Sequence, residues 1–378
     1  MKIDRPVISH TGGEMIIRYP VEIAGSNCSL WYSLDEQNAG LVEPGFEGPL
    51  AGLLMPAMAA GEDIWLAGEV CQKLVFSLQH QMQPLLKWML PGLNGIQLHP
   101  ECVRETHTRG QGIISGFSGG VDSFITLNDF FLSPEVEDHA RLTHLAFFNV
   151  GSHGSGEGGV DMFHQRVAHL KNTTDALGLP LVTLQSNLSE FYQSGPFTFE
   201  NTHTIRSASA ALMLQQGFKR FHYSAGYTYP EVYIRPKMLM AHADPILLPA
   251  LSTGAMELVS TGTEYSRVEK IRTLAEIPFT YEHLSVCLKS VRHCGKCRKC
   301  VRTMLILDLL GELHHYGNLF DLKDFYANRS TYLYSLFYYD NPFVREILHL
   351  AKHSARTPGY MKALMLLRGI RSRGRLRS

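Results

Sequence analysis

Gly116-Phe-Ser-Gly-Gly-Val-Asp-Ser123 lies between a strand-like run, Gln111-Gly-Ile-Ile-Ser115, and a helix-like run, Phe124-Ile-Thr-Leu-Asn-Asp-Phe-Phe-Leu132. Two adjacent glycines let backbone N–H groups turn inward, and Ser118 and Ser123 add hydroxyls beside the first helical turn. Such a loop cradles phosphate. It has neither the Gly-x-x-x-x-Gly-Lys-Ser/Thr of a P-loop nor the Gly-x-Gly-x-x-Gly of a dinucleotide fold. The competing explanation is a glycine turn ahead of an ordinary helix, and the strand–loop–helix context argues against it.

Ser118-Gly119-Gly120-Val121-Asp122-Ser123 resembles, at every fixed position, the signature of the ATP pyrophosphatases, also called PP-loop or adenine nucleotide alpha-hydrolase-like enzymes. The resemblance implies cleavage of ATP between its alpha and beta phosphates, transfer of AMP to a substrate oxygen and release of pyrophosphate. It places these six residues near the phosphates, with Asp122 positioned to support Mg2+ and with Phe148 and Asn149 near adenosine.

The chain has 378 residues, 45% of them hydrophobic, enough for a sizeable core and for more than one domain. Its 35 acidic and 35 basic residues balance, so no global charge argues for nucleic acid or an acidic membrane. The balance hides a basic end, with Arg368, Arg371, Arg373, Arg375 and Arg377 and no acid over residues 368–378. No leader pattern and no apolar span of membrane length is evident, so the expected location is cytoplasmic.

Residues 70–89 carry Leu74, Leu78, Met82, Leu85 and Met89 at helical steps, with Pro84 expected to kink or divide the helix. Short strands are expected within 14–34, 63–67 and 95–99, so residues 1–108 read as a mixed alpha and beta accessory domain. From 109 the pattern alternates. Apolar strands over 142–150, 181–184 and 218–224 are separated by helices over 160–177 and 204–216, which predicts an α/β fold with a parallel sheet. The nucleotide domain is expected over 109–285, a four-cysteine site with a helical extension over 286–367, and a basic tail over 368–378.

Loops at the carboxyl ends of parallel strands line the ligand crevice. Tyr227, Tyr229 and Glu231, after the strand at 218–224, are therefore candidates for reading an apolar ring and its polar edge. His153 lies in the glycine loop after the second strand. Arg206, in the first turn of the helix at 204–216, is a candidate to stabilise pyrophosphate, as are Arg235, Lys237, Arg267 and Lys270, among which sequence does not choose. The catalytic candidates are Asp122, Ser118, Ser123, Arg206 and Lys270.

Cys287-Leu-Lys-Ser-Val-Arg-His-Cys294-Gly-Lys-Cys297-Arg-Lys-Cys300 is the second strong feature. Four thiolates surround Zn2+ tetrahedrally, Gly295 lets the turn between Cys294 and Cys297 close, and four protein ligands leave no open position for catalysis. Free core cysteines and an iron–sulfur cluster are the alternatives. Lys289, Arg292, Lys296, Arg298 and Lys299 would offset the thiolate charge or contact phosphate.

The glycine loop together with this cysteine cluster resembles the 7-cyano-7-deazaguanine synthase branch of the ATP pyrophosphatases over residues 112 to about 313. That resemblance implies an ATP-dependent ligase or synthetase that adenylates a carboxylate, here on a deazapurine-like acid, and forms a C–N bond with ammonia or an amine. ATP, Mg2+ and Zn2+ are the expected cofactors. Two departures bear on the substrate: six residues separate the first two cysteines, fewer than the branch leads one to expect, and the chain is longer at both ends. Two other readings stay open, a tRNA-modifying enzyme transferring nitrogen or sulfur, and a non-catalytic nucleotide-binding scaffold. An RNA or peptide substrate and a homo-oligomer are compatible with the sequence.

Overall fold

The structure, a computed structural model, describes residues 1–154 and 156–365. The chain forms two compact units. Among the described residues, the first comprises 1–118 and 126–263, the second 119–125 and those from 264 onward. The basic tail expected over 368–378 lies outside the described residues.

The first unit is built on one mixed, largely parallel sheet of eleven strands. In chain order these are β1 (Lys2–Ile3), β2 (Val7–Thr11), β3 (Glu14–Ile23), β4 (Ser26–Asp35), β5 (Ile64–Cys71), β6 (Leu98–Arg104), β7 (Gly112–Gly116), β8 (His144–Asn149), β9 (Leu181–Ser186), β10 (Phe218–Ser224) and β11 (Glu257–Thr261). Their spatial order is β11-β10-β7-β8-β9-β4-β3-β1-β5-β6, with β2 added on β3. The five strands from β11 to β9 are all parallel. This is the alternating pattern predicted after residue 109, with β11 an addition that its short, mixed sequence did not announce.

The strands expected to belong to a separate accessory domain continue this same sheet, because β4 pairs antiparallel with β9. Residues 1–108 therefore share a unit with the parallel strands. β3 alternates Met15, Ile17, Tyr19 and Val21 inward with Arg18, Pro20 and Glu22 outward, the period of a strand with one face buried. It joins β4 through Ala24 and Gly25, both at positive φ, the two-residue turn whose twist suits a hairpin. The strand expected at 95–99 begins later, at Leu98, and runs into what reads as a connection. β6 ends the sheet. Its Leu98 N–H is taken by the Gln79 side chain at 3.2 Å, and Pro100 has no N–H to offer, so the open edge is blunted.

The helix α1 (Glu47–Ala60) is buried along almost its whole length. It packs against α6 (His203–Leu212), and Gly48 and Gly52 are what permit it. A Cβ on Gly48 would lie 2.6 Å from Met213 Sδ and 2.8 Å from the Ser209 carbonyl, and one on Gly52 would lie 2.6 Å from Ser209 Oγ. Ser209 Oγ in turn donates to the Gly48 carbonyl at 2.7 Å and meets the Tyr32 hydroxyl. Residues 70–89 form α2 (Gln72–Ser77), a π turn at Leu78–Met82 and α3 (Gln83–Met89). The division comes where Pro84, which lacks an N–H, enters the first turn of α3. The remaining helices of this unit are α5 (Gly156–Leu177) and α7 (Asp244–Ala250), while α4 (Val121–Leu127) carries the chain from one unit to the other.

The second unit is helical, with α8 (Arg267–Ala275), α9 (Thr280–His283), α10 (Arg298–Leu310), α11 (Leu322–Ser335) and α12 (Pro342–His353). α10 packs on α8, α11 and α12 and buries Cys300, Thr303, Met304 and Leu307. Its buried Asp308 accepts from Arg329 at 2.7 Å. None of the described helices is long and apolar enough to cross a membrane.

Candidate functional site

Asp122 and two cations form the centre of the site. Ser266 caps the start of α8 and exchanges hydrogen bonds with Glu269, so that Arg267 and Lys270 fall on neighbouring turns of one face. Arg267 Nη2 donates to Asp122 Oδ2 and Lys270 Nζ to Asp122 Oδ1, both at 2.9 Å. Lys270 is 1% exposed, Arg267 5% and Asp122 26%, so the carboxylate is the part that meets solvent. Burial alone would raise the Asp122 carboxyl. The charges of Arg267 and Lys270, and the hydrogen bonds they donate, outweigh it and hold the group well below the usual carboxylate range.

The loop around Asp122 is fixed locally. Gly119 takes φ +69°, Ser123 Oγ donates to the Gly120 carbonyl at 3.0 Å, and the Gly119 carbonyl accepts from Ser285 N–H. Val121 is buried at the start of α4. Beside the loop, the Phe343 ring lies under two guanidinium groups, Arg302 at 4.1 Å and Arg267 at 5.3 Å. Glu346 accepts from Val268 N–H at the start of α8. Lys299 reaches solvent although protein surrounds it densely. That desolvation lowers its ammonium pKa; Arg267, Arg302 and Arg298 add to the lowering and Asp122 opposes it.

The four cysteines form a second centre in the same unit. The Sγ atoms of Cys287, Cys294, Cys297 and Cys300 all lie within 4.8 Å of one another, a group that could hold a metal ion such as zinc. A tetrahedral ion with Zn–S bonds of about 2.3 Å sets sulfurs about 3.8 Å apart, within a small inward shift. Gly295 takes φ +67° in the turn, and backbone N–H groups of Lys289 and Cys297 point at the sulfurs of Cys287 and Cys294 at 3.4 and 3.3 Å. Burial would raise the Cys287 thiol, and hydrogen bonds from Ser290 and from nearby backbone N–H groups bring it down to about 6. Burial and the neighbouring sulfurs of Cys297 and Cys287 push Cys300 up.

The other candidates belong to the first unit. Ser118 is exposed after β7. Phe148 and Asn149 end β8, Phe148 against Phe221 and Asn149 nearly buried. His153 packs between Phe147 and Phe163, and its burial, with the Arg166 charge, lowers it to about 4, so it is neutral at pH 7. Arg206 is buried over the Tyr192 ring at 4.1 Å, with Nη1 3.4 Å from the Val150 carbonyl, which gives its guanidinium a place in the packing of that unit. Tyr227 stacks on His242, Glu231 accepts from Thr228 within its own turn, and Tyr229 is exposed. Arg235 lies over the Tyr233 ring.

Of the cations that sequence left undivided, Arg267 and Lys270 are the two that meet Asp122. Sequence reasoning passed over Arg302 and Phe343. The signal for Arg302 was present in its spacing, three residues beyond Lys299 and therefore on the same helical face. No protein-family model, no curated protein and no solved structure matches the chain.

Proposed function

We propose that this chain is an ATP-dependent adenylating ligase or synthetase. The observation that supports the reading is the clamp on Asp122: a glycine loop whose sequence resembles the ATP pyrophosphatase signature presents a carboxylate to two buried cations that share it. Two buried positive charges against one negative charge leave an excess that a polyphosphate anion would neutralise. Phosphoryl and adenylyl transfer ask for this arrangement, because charge develops on the leaving phosphates.

On this reading a substrate carboxylate oxygen attacks the alpha phosphorus of ATP, the bond to the bridging oxygen breaks, and pyrophosphate leaves with the electron pair. Ammonia or an amine then attacks the acyl carbon and AMP departs, giving an amide or related C–N product. Arg267 and Lys270 neutralise the departing pyrophosphate. Gly119, Gly120, Val121 and Ser123 shape the loop, and Ser118, Phe148 and Asn149 are the further ATP-binding residues that the resemblance points to. A deazapurine-like acid read by Tyr227, Tyr229 and Glu231 is the proposed substrate class.

Mg2+ would arrive on the phosphates with its waters, the usual way this ion is held beside a nucleotide. We assign the cysteine cluster to structural Zn2+. The chain is proposed to act in the cytoplasm.

The test is a mass-resolved turnover assay with ATP, Mg2+, ammonium and a pool of small carboxylates including 7-carboxy-7-deazaguanine. AMP, pyrophosphate and a product of altered mass are expected from the wild type and are lost in Asp122→Ala. ADP and phosphate as the main products would overturn the reading, and ATP binding without turnover would favour a scaffold.

A further inference from the structure

The first turn of α10 follows directly on two of the cysteines, Cys297 as the residue that caps the helix and Cys300 inside it. At 100° per residue, Arg298, Arg302 and Lys299 fall within an arc of about 100°, on one side of the helix. Cys300, Thr303, Met304 and Leu307 are buried. The cationic arc is tied to α8 by Phe343, whose ring lies within 5.3 Å of both the Arg302 and the Arg267 guanidinium. Arg267, 5% exposed, also keeps its Nε buried without a hydrogen-bond partner. Four cations, Arg267, Lys270, Lys299 and Arg302, are thus carried by α8 and the first turns of α10, with Asp122 between the first two and Glu346 at the start of α8. Like charges brought together repel, and a multivalent anion relieves that repulsion.

We propose that the cysteine cluster, by fixing the first turn of α10, sets Lys299 and Arg302 as a second row of cations beside Arg267 and Lys270, so that polyphosphate binding depends on the bound metal. The inference rests on the phosphate-binding reading above and adds a control to it. Metal loss frees the turn that carries the second row while the Asp122 clamp on α8 stays in place. The ligand is a polyphosphate group, whether the tail of ATP or free pyrophosphate.

The experiment is calorimetric titration of the full chain with inorganic pyrophosphate and, separately, with a non-hydrolysable ATP analogue. The proteins are the zinc-loaded wild type, the chelator-treated wild type, Cys297→Ser, Lys299→Gln and, as a charge control, Lys323→Gln on the exposed side of α11. Lys299→Gln and metal loss are each expected to weaken pyrophosphate binding about tenfold, and Lys323→Gln to leave it unchanged. An equal loss with the ATP analogue identifies its tail as the ligand, and a loss with pyrophosphate alone identifies the free anion. If Cys297→Ser unfolds, Lys299→Gln in the zinc-loaded protein still carries the test. Unchanged pyrophosphate affinity in Lys299→Gln, or in chelated protein that remains folded, overturns the inference and leaves the ligase reading standing. A wild type that binds neither anion overturns both.

Discussion

Asp122 keeps two cations in place with one carboxylate, and its loss removes the charge that both buried groups share. Asp122→Ala should therefore destabilise the protein by about 3 kcal/mol in a urea titration, in addition to abolishing turnover. Because the folded-state pKa of Asp122 is depressed, its contribution is present above the unfolded carboxyl value of about 4 and is lost as pH falls from there toward the folded value. His222 adds an earlier loss. Burial, helped by the Arg220 charge, lowers its imidazole to about 3, so stability is full above about pH 6.5 and falls as the pH drops through this range. At pH 5 the deficit from His222 is about 2 kcal/mol. His222→Leu should flatten the fall between pH 6.5 and 4, read from urea midpoints. The signature loop and the cysteines were legible in the sequence because each is a local pattern. The partners of Asp122 were legible only in part: Lys270 was among the catalytic candidates, but Arg267 and Lys270 come 145 and 148 residues later, and a pairing over that distance leaves no mark beside Asp122.

At the scale of elements, α1 and α6 touch through glycine. Gly48→Ala would push a methyl into Met213 and the Ser209 backbone, and should cost about 2 kcal/mol of stability by the same titration. The cysteine turn and α10 make a second prediction. Metal analysis should find one zinc per chain, absent in Cys297→Ser, and chelation should lower the thermal midpoint with a loss of helical circular dichroism. Helices and parallel strands were readable here because their periods are carried by large apolar residues, such as Leu74, Leu78 and Met82 in the helix that Pro84 divides. β6 was misplaced because its sequence, Leu-His-Pro-Glu-Cys-Val-Arg, has no clear period and sits at an edge where burial does not impose one. β11 is short for the same kind of reason, five residues whose pairing with β10 supplies the order that their composition does not.

At the scale of the whole molecule, the expected boundary near residue 108 came from treating the start of the alternating pattern as the start of a domain. Composition does not reveal that β4 lies beside β9, because an antiparallel pair separated by about 150 residues leaves no mark in either strand alone. The division that the fold makes is discontinuous instead, with residues 119–125 folding with the chain beyond 263. During synthesis this imposes an order of events. At about 5–20 residues per second, Asp122 leaves the ribosome roughly 7–30 s before Lys270 does. Through that interval the glycine loop is a nascent segment without its counter-charges, and the nucleotide it is proposed to hold has nothing to bind. Competence would come late, only once α8 and the cysteine turn beyond it have emerged.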